Sequence, residues 1–275
     1  MLLRFTKMHG LGNDLMVLDL ISQYAYIQPQ QMRAWSDRRT GVGFRRLALI
    51  EVPQQPDVDF SCRIFDDNGA EVDWLASDLC CVARLVADRR LISKAQMRVE
   101  LRHAVIDVEV HTDGSVSVPL ELPETLVDRV VVPDSLLQTH PGWLFDSSFA
   151  MLSISGLHAV LQVADVTQVP MPELAAQLER HTRLPRGTTI SVVQVQDRNN
   201  LTVLSWQLGY GMLDSFHPCL SAVAVVAMEQ SWVNRQVHIE LANSNTRVWM
   251  QHSENESLIC FTGSATRVYE GQIRL

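Results

Sequence analysis

Residues 66–92 run Asp-Asp-Asn-Gly-Ala-Glu-Val-Asp-Trp-Leu-Ala-Ser-Asp-Leu-Cys-Cys-Val-Ala-Arg-Leu-Val-Ala-Asp-Arg-Arg-Leu-Ile, and little else in the chain constrains its fold as strongly. A polar turn leads to Ser77, whose hydroxyl suits a helix N-cap. Beyond it Leu79, Cys80, Val82, Ala83, Leu85 and Val86 leave almost no polar side before Asp88-Arg89-Arg90. A helix apolar nearly all round has to be buried on every side. The rest of the chain must supply the wrapping, and its many short alternating segments read as strands. A second stretch makes the same demand. Cys219 to Met228 is almost uninterruptedly apolar, and Pro218 suits position N1 of a helix.

In the first half, strands are expected at 2–8, 15–20, 47–52, 60–65, 97–101, 105–111 and 115–120, with a short helix at 29–36. In the second they are expected at 151–155, 159–163, 191–196, 201–207, 237–241, 247–251 and 258–262, with a helix at 172–180. Thr112-Asp113-Gly114 reads as a hairpin turn. Residues 121–145, with Pro123, Pro133 and Pro141, read as a crossover. The same unit thus occurs twice: strands, a glycine turn, a buried helix, more strands. This predicts an α/β (α+β) protein of two pseudo-symmetric halves, each a curled, mostly antiparallel sheet around one helix. We expect 1–119 plus 264–275 in one half, 120–263 in the other, and any ligand in the cleft between them.

A net charge of −8 with scattered arginine pairs argues against nucleic acid as a partner. The opening residues are too polar for a signal peptide, and no apolar run reaches membrane-spanning length. The five cysteines are odd in number and form no CxxC pair, so neither a disulfide framework nor a zinc site is indicated. The chain reads as cytoplasmic, with reduced thiols. His9-Gly10-Leu11-Gly12-Asn13-Asp14 is glycine-rich, but a strand rather than a helix follows it, so it is no dinucleotide fingerprint.

Phe5-Thr-Lys-Met-His-Gly-Leu-Gly-Asn-Asp14, Gly41-Val-Gly-Phe44, Arg63-Ile-Phe65, Gly69-Ala-Glu-Val72, Thr262-Gly263 and Val268-Tyr-Glu-Gly271 together carry a likeness that extends over nearly the whole chain. In these motifs the chain resembles the diaminopimelate epimerases, cofactor-independent two-cysteine enzymes of bacterial lysine and peptidoglycan biosynthesis. The resemblance implies their duplicated sheet-round-a-helix fold and no cofactor. It also implies a thiolate that takes the Cα proton and an opposing thiol that returns one. Each cysteine of the family lies in a Cys-Gly-[Asn/Ser]-Gly-Ala stretch, where helix N–H groups hold the substrate's α-carboxylate. Laid onto this chain, the two stretches are Leu75-Ala76-Ser77-Asp78-Leu79 and Phe216-His217-Pro218-Cys219-Leu220. Leu75 and Phe216 stand at the cysteine positions, and hydrocarbon cannot exchange a proton. Cys80 and Cys81 fall roughly 7–9 Å beyond the required point at the helical rise, and read as core thiols. Pro218 removes an N–H beside Cys219.

The resemblance implies substrate-binding positions at Asn13, Arg45, Arg46, Asp66, His158, Thr189 and Gln207, of which only Asn13 and His158 keep the family's residue. Ala76 and Asp78 replace glycines and stiffen the cradle, and Pro218 stiffens the second one. Asp78 also sets a fixed carboxylate at a helix start. We therefore expect a pseudoenzyme that acts, if at all, through a protein partner or a small acidic ligand, and a homodimer on the family pattern with Tyr269 retained. Two other readings stand. One is a repurposed cofactor-independent isomerase or lyase that uses Asp78, Asp214 and His217. The other is a folded paralogue or altered chain without selected function. Charged groups near helix starts are common without catalysis, so Asp78 and Asp214 read first as helix-end complements and His217 as a residue tolerated before Pro218. Arg45-Arg46 reads first as a solvated or locally paired loop, with a salt bridge to Asp66 or Asp78 as the sharper option.

Overall fold

Some strands alternate buried and more exposed residues, others are buried along most of their length, and unbroken apolar runs set two of the helices. The computed structural model describes residues 1–122, 126–131, 148–154, 156–181, 184–213, 218–243, 247–252 and 258–275. They divide into two units, Met1–Pro119 with Thr262–Leu275, and Leu120–Phe261. The first runs β1 (Leu2–Gly10), β2 (Asn13–Asp19), α1 (Pro29–Ser36), β3 (Arg46–Glu51), β4 (Phe60–Asp66), α2 (Ala76–Asp88), β5 (Gln96–Glu100), β6 (Val105–Val110) and β7 (Val116–Glu121). The second runs β8 (Leu126–Val131), β9 (Ser148–Ser153), β10 (Leu157–Val163), α3 (Met171–His181), β11 (Thr189–Asp197), β12 (Asn200–Gln207), β13 (Gly211–Met212), α4 (Cys219–Glu229), β14 (Gln236–Leu241), β15 (Arg247–His252) and β16 (Leu258–Gly263). The last strand, β17 (Ala265–Arg274), returns to pair antiparallel with β1.

Pairing within each unit follows one plan. β1–β2 is antiparallel, β2–β3 parallel across α1, β3–β4 antiparallel, β4–β5 parallel across α2, and β5–β6 antiparallel. In the second unit β9–β10 is antiparallel, β10–β11 parallel across α3, β11–β12 antiparallel, β12–β14 parallel across α4, and β14–β15 antiparallel. Each parallel step needs a crossover, and each crossover carries a helix.

α2 touches β1, β2, β3, β6 and β17, while α4 touches β9, β10, β11 and β14. In α2 the residues Ala76–Ala83, Leu85 and Val86 are buried, and in α4 everything from Cys219 to Ala227. Each fully enclosed Leu or Val contributes roughly 1.5–3 kcal/mol relative to exposure. A second layer covers the other side: Met32 and Trp35 of α1 pack with Phe5, Leu18, Leu47 and Phe65, and Leu174 and Leu178 of α3 with Phe149, Leu161 and Val192. No described helix is long and apolar enough to cross a membrane.

Three local expectations need correction. Ser77 is not the N-cap of α2; Leu75 is, in extended conformation, and Ser77 lies inside the first turn with its hydroxyl bonded to Asn13 Nδ2 at 3.1 Å. Pro218 is the N-cap of α4 rather than its N1 residue. The crossover expected at 121–145 contains β8, which pairs antiparallel with β9; Pro123, Pro133 and Pro141 lie outside the described residues.

β1 runs so close to the start of α2 that only glycine fits at position 10. An added Cβ would lie 2.4 Å from the Ser77 carbonyl oxygen and 3.2 Å from Cys81 Sγ. Gly10→Ala is expected to lower unfolding free energy by about 1–3 kcal/mol, read by urea denaturation. An unchanged midpoint would show that the helix start can move aside.

Candidate functional site

The start of α2 holds a buried ion pair. Leu75 N–H donates to Asp78 Oδ2 at 2.9 Å, and Arg46 Nη1 donates to the same oxygen at 2.7 Å. Arg46 reaches across from β3 and also donates to the Asp73 carbonyl at 2.8 Å, which fixes the guanidinium independently of the aspartate. Asp78 is 2% exposed. Burial pushes its carboxyl above the ordinary range, while the Arg46 charge and the Leu75 N–H oppose that rise. Arg46 is thus neither solvated nor merely local, as first read, but the counter-ion of a buried aspartate. Arg45 is exposed.

Strand register collects most of the remaining candidates. Leu15, Arg46 and Asp66 lie side by side on β2, β3 and β4. His158, Thr189 and Gln207 form the corresponding row on β10, β11 and β12. Side chains of paired residues project from the same face of a sheet. Each row ends on the strand that feeds a buried helix, so equivalent places in the duplicated plan carry equivalent candidates. Asp66 turns back on its own loop, where Oδ1 accepts the N–H groups of Asn68 and Ala70. Asn13 is buried against Ser77. Gln207 Nε2 donates to the Gly187 carbonyl at 3.1 Å. Phe216, Asp214 and His217 lie outside the described residues.

A charged cluster that sequence reasoning missed stands beside Asn13. Lys7 Nζ donates to Asp14 Oδ2 at 2.6 Å and to the Gly43 carbonyl, and Arg38 Nη2 donates to Asp14 at 3.0 Å. Burial opposes ionisation of Asp14, but hydrogen bonds from Lys7 and Arg38 outweigh it and hold the carboxyl below its usual range. Spacing along the chain gives no hint of this triad, because the three groups meet through a turn and a loop.

Four of the five thiols are core groups. Cys62, Cys80, Cys81 and Cys219 are all buried. Burial pushes the Cys62 and Cys81 thiols up, with the Asp78 charge adding to the effect. Burial takes Cys219 to about 11, although the Ser205 and Ser191 hydroxyls pull the other way. No group of three metal-ligating side chains occurs among the described residues.

A groove of about 670 Å³, lined by Arg4, Asp19, Arg89 and Glu270, opens where Arg89 caps the far end of α2. Beside Trp74 there is a cavity of about 30 Å³, room for a water or two.

Arg46→Met is expected to strand a buried carboxylate and cost on the order of 3 kcal/mol, measured by denaturant unfolding. The same substitution combined with Asp78→Leu should recover most of that loss. Equal losses in the single and double variants would show no coupling. His158 offers a pH test. Its Nε2–H donates to the Ile154 carbonyl at 2.9 Å, and Nδ1 is buried without a partner. Burial holds the imidazole below 6.5 against that hydrogen bond. Its unfolded counterpart therefore binds a proton first as pH falls, so stability should be full above about 6.5 and drop below it, by at most about 1.4 kcal/mol per pH unit. His158→Gln should flatten that dependence. An identical pH profile in the variant would exclude His158 as its source.

No family model matches the chain. It is 41% identical over 281 residues to the diaminopimelate epimerase of Ectopseudomonas mendocina, with both chains fully covered. Its fold is similar to that of a phenazine biosynthesis PhzC/PhzF protein from Clostridium difficile, with a TM-score of 0.72, 10% identity, and 99% and 100% of the two chains covered. A hydroxyproline epimerase from Agrobacterium vitis, solved with trans-4-hydroxy-L-proline bound, gives a TM-score of 0.61 at 11% identity over 99% and 91%. The two structural likenesses bear on fold alone. On full-length identity, the chain belongs to the diaminopimelate epimerase family.

Proposed function

We propose that this protein is a pseudoenzyme of its family, which keeps the epimerase scaffold without the two-thiol proton transfer. The observation that carries the reading is Leu75. It occupies the N-cap of α2 in extended conformation, where the family motif requires an acid/base thiol. No buried thiol takes over. A proton-abstracting cysteine must be ionised, and Cys219 with a pKa of about 11 is ionised in about one molecule in ten thousand at pH 7. Cys80 and Cys81 are enclosed inside α2. Asp78 is no substitute base, since its carboxylate is committed to Arg46 and the Leu75 N–H. The repurposed-enzyme reading thereby loses one of its three candidate groups. Function then lies in binding, through a protein partner or a second copy of the chain.

The test is hydrogen–deuterium exchange at Cα of diaminopimelate in D2O, followed by NMR. Exchange should stay at least about 10⁴-fold below an ordinary turnover of 1–10³ s⁻¹. Enzyme-like exchange from the unaltered protein would sink the proposal.

A further inference from the structure

α2 ends before the sheet beneath it does. On the paired strands β1 and β17, Thr6 stands opposite Glu270 and Arg4 opposite Gln272. Paired residues project from one face. Arg89, the C-cap of α2, comes down on that face, where Nη2 donates to the Thr6 hydroxyl at 2.8 Å and to Glu270 Oε1 at 3.2 Å. Arg4 and Gln272, next along, are exposed. They line the groove of about 670 Å³ with Arg89 and Glu270, and Phe5 and Leu91 add apolar surface. Every lining residue belongs to the first unit. The volume falls among those of small-molecule pockets, about 300–1,000 Å³. At the helical rise, Arg89 lies roughly 20 Å from Leu75, so the groove is separate from the place where the family's thiol would stand.

The charges around the groove do not cancel. Asp19 is 2% exposed, and its oxygens accept the N–H groups of Ile21 and Ser22 at 3.0 and 3.1 Å and the Ser22 hydroxyl at 2.5 Å. Glu270 accepts from both Arg89 and Arg267. Arg4 is fixed by its backbone, whose N–H donates to Gln23 Oε1 at 3.0 Å and whose carbonyl accepts from Gln23 Nε2 at 2.6 Å. Among the described residues, its guanidinium has no acceptor. Arg4, Arg89 and Arg267 thus stand against Asp19 and Glu270, and the one surplus positive charge is at Arg4.

We propose that this groove binds a small organic acid through a single carboxylate, which meets the fork of the Arg4 guanidinium while its hydrocarbon body lies against Leu91. A planar, singly charged carboxylate matches both the fork and the surplus of one charge. A phosphate dianion would leave a negative charge uncompensated beside Glu270. The inference adds a small ligand to the macromolecular partners named above and does not depend on the catalytically silent reading.

The probe is para-fluorobenzoate, with para-fluorobenzamide as its uncharged isostere. Each is titrated into full-length protein at constant ionic strength and followed by fluorine NMR. The wild type should bind the benzoate saturably with a Kd of about 1 mM or tighter, and the benzamide at least about tenfold more weakly. Arg4→Gln should keep the melting temperature and lose that preference for the charged probe. Gln272→Glu sets a carboxylate across from Arg4 and should have the same effect, which keeps the test open if Arg4→Gln does not fold. Gln272→Ala, and Arg45→Gln at an exposed arginine outside the groove, should bind as the wild type does. Inorganic phosphate should displace the probe no better than chloride. The proposal is overturned by no saturable response up to about 10 mM, by equal affinity for the two probes, by binding that Arg4→Gln and Gln272→Glu leave unchanged, or by displacement with phosphate. None of these readouts involves Cα exchange, so the groove and the catalytically silent reading can fail separately.

Discussion

A helix with no polar face can exist in water only inside something, and most of the architecture is a response to that constraint. Enclosing α2 requires strands on several sides, which β1, β2, β3, β6 and β17 provide. Enclosure then creates a second demand, because the unbonded N–H groups of the first turn come to lie in a region of low dielectric. Asp78 answers it from within the same turn, and a buried carboxylate in turn requires a cation, which arrives as Arg46 from β3. That ion pair fixes the register of helix against sheet, and the tight passage of β1 past Ser77 leaves room only for Gly10. Each contact follows from the one before.

Among the described residues, the second unit shows no charge at its helix start. α4 has no acidic residue in its first turn, and its N-cap is Pro218, which has no N–H to satisfy. Hydroxyls lie against its first residue. Ser191 and Ser205 bond to each other at 2.8 Å and interact with the Cys219 thiol. Among the described residues, one helix start carries an ion pair and the other carries hydroxyls, although the strand plans coincide pair for pair. A shared fold has diverged in the electrostatics of the site while keeping its topology.

What could be read along the chain were the features written locally. Two apolar runs, a hairpin signal at Thr112-Asp113-Gly114 and alternating segments were enough to predict the duplicated plan. What could not be read were pairings between distant residues. Ser77 offers a capping oxygen by type, but Asn13, 64 residues away in sequence, occupies it, and the acidic side chain one position on does the work instead. Arg46 and Asp78 are 32 residues apart. The row of His158, Thr189 and Gln207 exists only because β10 and β11 are parallel and β12 antiparallel, in a particular register. β8 is rich in valine and reads locally as a strand, but Pro123 and Pro133 on either side make it read as part of a crossover.

On the reading proposed above, these contacts also explain how the fold is kept without the chemistry. A site that waits for an anionic ligand must tolerate an uncompensated helix start whenever the ligand is absent, and an unsatisfied buried donor costs roughly 1–3 kcal/mol. Asp78 removes that cost for the Leu75 N–H. Enclosure of α2 depends on Leu79, Val82, Leu85 and Val86, none of which could take part in proton transfer. The residue at position 75 bears on chemistry and only slightly on packing, since its contribution to the helix start is a backbone N–H that any residue except proline supplies. Leucine at position 75 is therefore compatible with an intact enclosing core.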